Sequence, residues 1–207
     1  TRIKGDEAMK PLNKYFDHTN LKPDAPHTDI LRLCEEAKKY DFYGVCVHSC
    51  YVPLAAKELA GTGIKVVTVA GFPLGMNSSQ TKKYEAEWAC ENGAQEIDMV
   101  INIGALKEGL YDYVRQEILE VVKTTGRHKG IVKTILETCE LKDEEIVKAC
   151  HLAIEAGAAY IKTSTGFGKA GATPHAVSLI KETVGDKAQI KASGGIRLRS
   201  CGRVLHR

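Results

Sequence analysis

Lys133, Lys162 and Lys191 each interrupt a short apolar run, in "IVKTILET", "YIKTSTGFG" and "QIKASGG", and Asp98 interrupts a fourth, "EIDMVINIG". Burying an isolated charge costs several kcal/mol even after relaxation. One such lysine reads as half of a structural ion pair. Three lysines with one acid point to chemistry, and the chemistry that suits crowded lysines is imine formation. An amine attacks a carbonyl only when neutral, and free lysine is almost wholly protonated at neutral pH. A neighbouring ammonium and desolvation both lower its pKa, so crowding of lysines is expected to favour the neutral form of one of them. The resulting iminium is an electron sink that stabilises a carbanion on the adjacent carbon. Asp98 is the carboxylate that could move the proton, directly or through a water.

The elements that must hold these residues repeat along the chain. Candidate strands are Tyr15–Thr19, Gly44–His48, Lys65–Ala70, Ile97–Ile103, Ile131–Leu136, Ala159–Thr163 and Gln189–Ala192. Each is apolar or β-branched and too short for a helix. Amphipathic segments lie between them, with Ile30, Leu33, Cys34 and Ala37 on one face of the first. Leu110, Val114, Ile118 and Val121 share a face in a later one, as do Ile146, Ala149, Cys150 and Ala153. Thr173–Pro174 reads as N-cap and first helical residue, Gly185 as a stop, and Asn92–Gly93 and Gly157 as two further C-terminal stops.

Seven strands at about thirty-residue spacing make βαβ units, whose strands run parallel. A (β/α)8 barrel and an open doubly wound sheet both fit. No GxGxxG follows the first strand, so the barrel is favoured. The chain is nevertheless shorter than the ~250 residues typical of that barrel. Alternate residues of a barrel strand face the lumen. Lys162 then shares the interior with Tyr160 and Ser164, Lys191 with Gln189 and Ser193, Lys133 with Ile131 and Ile135, and Asp98 with Val100 and Asn102.

The 207 residues suit a single barrel domain, and 43% hydrophobic with 27% charged residues is ordinary for a globular chain. A net charge of +3, with no long basic run, gives no reason to expect a nucleic-acid partner. No apolar stretch has the length of a membrane span, so no membrane partner is expected either. The seven cysteines include no CxxC pair and read as reduced thiols, which suits a cytoplasmic location. "CVHSC" would place Cys46 and Cys50 at opposite ends of a short strand, with no second cluster to complete four metal ligands. Adjacent Asp17 and His18 point to opposite faces, which argues against a shared mechanism. His48 and His175 read as surface or structural residues, and "GFPLG" (residues 71–75) as a loop shaping the mouth of the third strand.

Together "YFDHTNLK", "GFPLG", "EIDMVINIGAL", "KTILET", "IKTSTGFG…GATP" and "IKASGGIR" resemble the deoxyribose-phosphate aldolase family, from about Asp17 to Arg197. That resemblance implies a TIM-type barrel and a class I aldolase needing neither metal nor cofactor. It implies reversible cleavage of 2-deoxy-D-ribose 5-phosphate to acetaldehyde and D-glyceraldehyde 3-phosphate, in deoxyribonucleotide catabolism. The small phosphorylated sugar or aldehyde is then the partner, and a homodimer the candidate assembly. By motif match, Lys162 corresponds to the Schiff-base lysine, Lys191 to the lysine that perturbs it, and Asp98 to the proton-relay acid. Lys133 and Asp17 match polar residues near that relay. Thr165, Gly166, Gly194 and Gly195 match loops that hold the sugar phosphate, and Cys46 matches a strand cysteine that reads here as core filler.

The pattern departs at the end. After "GGIR" the family continues with a helix and an eighth strand. Residues 198–207 instead form a basic tail, and from Arg197 onward four arginines stand in eleven residues. The expectation is a barrel incomplete at its C-terminus, with open edges on the first and seventh strands and "GRVLHR" as a conceivable substitute strand. Residues 1–13 are read as an N-terminal cap, with Ile3–Asn13 a short helix over the barrel floor. Two alternatives to an active aldolase stand beside it: a pyridoxal-phosphate barrel protein, and a catalytically impaired truncated barrel.

Overall fold

The computed structural model describes residues 10–196. Seven strands form one parallel sheet in chain order: β1 (Asp17–Asn20), β2 (Gly44–Val47), β3 (Lys65–Ala70), β4 (Glu96–Val100), β5 (Ile131–Ile135), β6 (Tyr160–Lys162) and β7 (Gln189–Lys191). Seven α-helices accompany them: α1 (His27–Tyr40), α2 (Val52–Glu58), α3 (Ser79–Glu91), α4 (Ile103–Lys107), α5 (Tyr111–Arg127), α6 (Asp143–Glu155) and α7 (Pro174–Val184). The sheet is curled. Lys191 Nζ on the last strand lies 2.7 Å from Asp17 Oδ2 on the first, although β1 and β7 share no backbone pairing.

The curl divides the apolar residues into two layers. The larger packs the outward strand residues against the helices, with Val45, Val47, Ile97, Met99 and Ile161 meeting Ile30, Val114, Ile118 and Ile180. The smaller, Leu21, Cys46, Val67 and Val69 with Phe72 against it, belongs to β1–β3 and the loops that follow them. Charged residues occupy the same inward register on β4–β7, so one side of the interior is apolar and the other ionic.

The expected punctuation appears where the residues require it. Thr173 Oγ1 accepts from Ala176 N–H at 3.1 Å to cap α7, with Pro174 in its first turn, and Gly185 ends it at φ 55°. Two strand ends differ from expectation by more than one residue. β4 stops at Val100 because Asn102 caps α4, its Oδ1 accepting from Ala105 N–H at 3.0 Å. That short helix was not anticipated. β1 starts at Asp17, because Leu12–Tyr15 forms a 3-10 turn ahead of it. Of the cap expected over residues 1–13, residues 1–9 lie outside the described residues. So do the basic tail 198–207 and the substitute strand within it. Among the described residues β1 and β7 each pair with a single neighbour.

Candidate active site

Register explains how the charged side chains meet. Asp98 pairs with Lys133 across β4–β5, Lys133 with Tyr160 across β5–β6, and Lys162 with Lys191 across β6–β7. Residues opposite each other in adjacent parallel strands share a face, so these side chains converge inside. Gly44 opens the space for a further member. A Cβ there would stand 2.8 Å from Asp17 Oδ1, so the absent side chain lets the carboxylate turn inward.

Lys162, the last residue of β6, is 9% exposed, and its Nζ lies 2.5 Å from Asp98 Oδ2. Asp98 is fully buried and divides its oxygens between two cations, Oδ1 accepting from Lys133 Nζ at 2.9 Å. Lys133 Nζ also meets Glu96 Oε2 at 2.5 Å and Asp17 Oδ2 at 3.7 Å. Tyr43 Oη donates to Glu96 Oε1 at 2.5 Å and closes the inner end of the chain. The interior thus holds three acids against three lysines. Each charge offsets the desolvation of another, which makes burial of so many ions tolerable.

The electrostatics follow from the pairing. Burial pushes Lys162 down, but Asp98 outweighs it and holds the ammonium above the ordinary lysine range. Burial pushes Asp98 up, yet Lys133 and Lys162 bring it down to about 2. Lys133, with three carboxylates around it, is raised well above its usual value despite burial. Cys46 is driven up to about 12 by burial and by Asp98, which favours its thiol form.

The mouth is built from loops that interlock through glycine. Gly166, Gly194 and Gly195 take positive φ of 84°, 83° and 75°, and Gly171 packs so tightly on Gly194 that no side chain fits between them. Ala172 N–H donates to Ser193 O at 2.9 Å, and Ser193 Oγ to Ser164 O at 2.5 Å. The loops after β6 and β7 therefore form one surface rich in backbone, the kind that suits a phosphate group. Thr165 N–H points elsewhere, at the carboxylate of Glu137. Across the mouth, Phe72 of "GFPLG" meets Phe167 edge to face at 5.4 Å.

The chain matches the model of the DeoC/LacD family aldolases over residues 12–206. It belongs to that family. A deoxyribose-phosphate aldolase of Carboxydothermus hydrogenoformans is 57% identical over 188 residues, 90% of this chain and 82% of the relative. One from Clostridium novyi is 53% identical over 188 residues, with 91% and 84% covered. Among solved structures, the aldolase QR15 superposes with a TM-score of 0.90 at 40% identity, covering 95% of this chain and 87% of that one. The tetrameric deoxyribose phosphate aldolase of Aeropyrum pernix gives 0.85 at 31%, with 94% and 81% covered. These matches make the protein a carbon–carbon lyase with a TIM-barrel-type fold and support neither the pyridoxal-phosphate alternative nor the impaired barrel.

Within this aldolase-family site, the four inward residues expected from strand alternation do share one interior. Lys191, expected to lower the pKa of Lys162, turns its Nζ to Asp17 at 2.7 Å and to Tyr15 O at 3.1 Å, and it also faces the Tyr43 ring. The cation that opposes Lys162 is Lys133, and Asp98 overrides it. That pairing favours the ammonium form of Lys162. Asp98→Asn removes the dominant attraction, so the pH at which Lys162 is half-modified by formaldehyde and cyanoborohydride should fall. An unchanged or higher midpoint, read by peptide mapping, would show that Asp98 does not hold that proton.

His18 and Asp17 diverge as expected, His18 Nε2 lying 2.6 Å from Glu36 outside. His48 Nε2 meets Leu21 O at 3.2 Å, and His175 pairs with Asp143 at 2.9 Å, so both are structural. Glu96 and Tyr43 went unrecognised in the sequence. Glu96 stands two residues before Asp98 and so shares its face, but a strand begun at Ile97 leaves it out.

Proposed function

We propose that the protein reversibly cleaves 2-deoxy-D-ribose 5-phosphate to acetaldehyde and D-glyceraldehyde 3-phosphate through an imine on Lys162. The observation carrying this reading is the buried Lys162–Asp98–Lys133 array inside an aldolase-family barrel. Lys162 Nζ, once deprotonated, attacks C1 of the open-chain aldehyde, and loss of water gives the iminium. Removal of the C3 hydroxyl proton lets the C2–C3 electron pair pass toward the iminium nitrogen. The aldehyde of glyceraldehyde 3-phosphate is released, and an enamine remains. Protonation at C2 and hydrolysis of the imine return acetaldehyde and the free amine.

Asp98 is the relay for these protons, since its Oδ2 touches the reacting nitrogen while Lys133 keeps its other oxygen in place. Lys133 is thus a supporting residue and Lys191, tied to Asp17, an outer member of the same array. Gly166, Gly194 and Gly195 are assigned to the phosphate end, with Thr165 shaping their loop; Asp17 sets the far wall. An aldehyde and a phosphorylated sugar are the partners this site suits, and a homodimer is the proposed assembly. Reduction with borohydride in the presence of acetaldehyde should place an ethyl group on Lys162, and the purified protein should release glyceraldehyde 3-phosphate from the sugar phosphate. Label dispersed over surface lysines, or none, would defeat the reading.

A further inference from the structure

Glu137 closes β5 in a conformation that an L-residue avoids, with φ 56° and ψ 64°, and it is only 4% exposed. The left-handed backbone costs on the order of 1 kcal/mol, and burial of the carboxylate adds to it. What offsets both is the loop after Lys162. Thr165 N–H donates to both carboxylate oxygens, at 3.4 and 3.3 Å, and Thr165 Oγ1 also donates to Oε2. The same Oγ1 accepts from Phe167 N–H at 3.1 Å. Cys139 Sγ lies 3.7 Å from Oε1. Gly168 packs on the carboxyl group, where a Cβ would come within 3.1 Å of Cδ and Oε2.

The backbone on either side of Glu137 is tied to the strand that carries Lys162. Leu136 N–H donates to Lys162 O at 3.0 Å, and Thr138 N–H to Thr163 O at 2.9 Å. Lys169, a cation of the loop after β6, pairs with Glu140 at 3.2 Å. Among the described residues Glu137 has no ion-pair partner, so its charge is spent on the loop. It fixes Thr165 directly and Phe167 at one remove, and Gly166 lies between them.

We propose that Glu137 is a positioning residue of the reaction: it holds the loop Thr165–Gly168 in shape and so sets how firmly the phosphate-bearing end of the substrate binds. This rests on the deoxyribose-phosphate reading above. Glu137→Gly separates the effects, because glycine suits the positive φ while removing the carboxylate. Glu137→Gln keeps one oxygen able to accept from Thr165.

The expected result for Glu137→Gly is a KM for 2-deoxy-D-ribose 5-phosphate raised about tenfold or more, with kcat within about threefold of wild type. Cleavage of unphosphorylated 2-deoxy-D-ribose should change less than about threefold, and Glu137→Gln should recover most of the loss. An unchanged KM, or equal losses on both sugars, overturns the proposal. Amide hydrogen exchange gives an independent reading, since Thr165 and Phe167 should lose protection in the glycine variant. Protection retained there overturns the proposal even if the wild-type protein proves inactive on the sugar phosphate, a result that would instead overturn the assignment of function.

Discussion

Lys162→Arg should abolish cleavage of the sugar phosphate, by on the order of 10⁴-fold or more in kcat, while leaving the protein folded. The substitution isolates nucleophilicity from charge. Arginine keeps a cation against Asp98 but cannot be deprotonated, and so forms no imine. Lys162→Met should be equally inactive for a second reason, since it removes the nitrogen altogether. Asp98 would then keep Lys133 as its partner, 2.9 Å away, so neither variant leaves the carboxylate alone. Steady-state assays with thermal unfolding of both variants give the comparison. Turnover within about tenfold of wild type in the arginine variant would show that Lys162 acts by its charge rather than by bonding to substrate.

The second large effect concerns stability and lies outside the catalytic array. Lys82 on α3 and Glu117 on α5 form a pair 2.8 Å apart with both side chains fully buried. Glu117 Oε1 also accepts from Asn102 N–H at 2.7 Å, at the turn from β4 to α4. The stem of Lys82 fills the space beside Gly71, where a Cβ would stand 2.6 Å from Lys82 Cε. The pair therefore braces the "GFPLG" loop and the turn after β4 together. Burial pushes Lys82 below and Glu117 above their ordinary ranges, each against the pull of its partner.

Lys82→Met should cost about 3–5 kcal/mol at neutral pH, because it strands a buried carboxylate. The pH dependence has a definite sign. A carboxyl whose folded pKa is raised binds its proton more readily when folded, so stability of the variant should increase as pH falls toward that pKa. The double variant Lys82→Met/Glu117→Gln should lose less than the sum of the two single changes. Denaturant unfolding of the four proteins over a range of pH checks all three statements. A loss below about 1 kcal/mol, or stability of the variant that declines as pH falls toward that pKa, would contradict them.

These two sites differ in how far the sequence revealed them. Lys162, Lys191, Lys133 and Asp98 stood out because side chains alternate along any strand, so a charge in an apolar run must face either the core or the lumen. That alternation is local, and it needs only the residues on either side. Lys82 and Glu117 offer a weaker signal. Lys82 stands four residues before Ala86 on the buried face of α3, but a lone lysine on a helix ordinarily lies in solvent. Its partner is 35 residues away on another helix.

Glu137 was hidden in a different manner. It lies inside the "KTILET" motif, yet nothing in the motif says that the backbone turns left-handed there or that the carboxylate reaches the loop after the next strand. The strand–helix rhythm, the parallel sheet, the family and the four inward charges were legible without coordinates, since all of these follow from periodicity and motif order. Which charge meets which emerges from the folded arrangement. Lys191 is the neighbour of Lys162 in register, and the curl of the sheet brings its ammonium to Asp17 on the first strand. Lys162 is left to Asp98, and its proton with it. Electrostatic pairing depends on distance through space, and that distance is set by how the sheet bends rather than by any spacing along the chain.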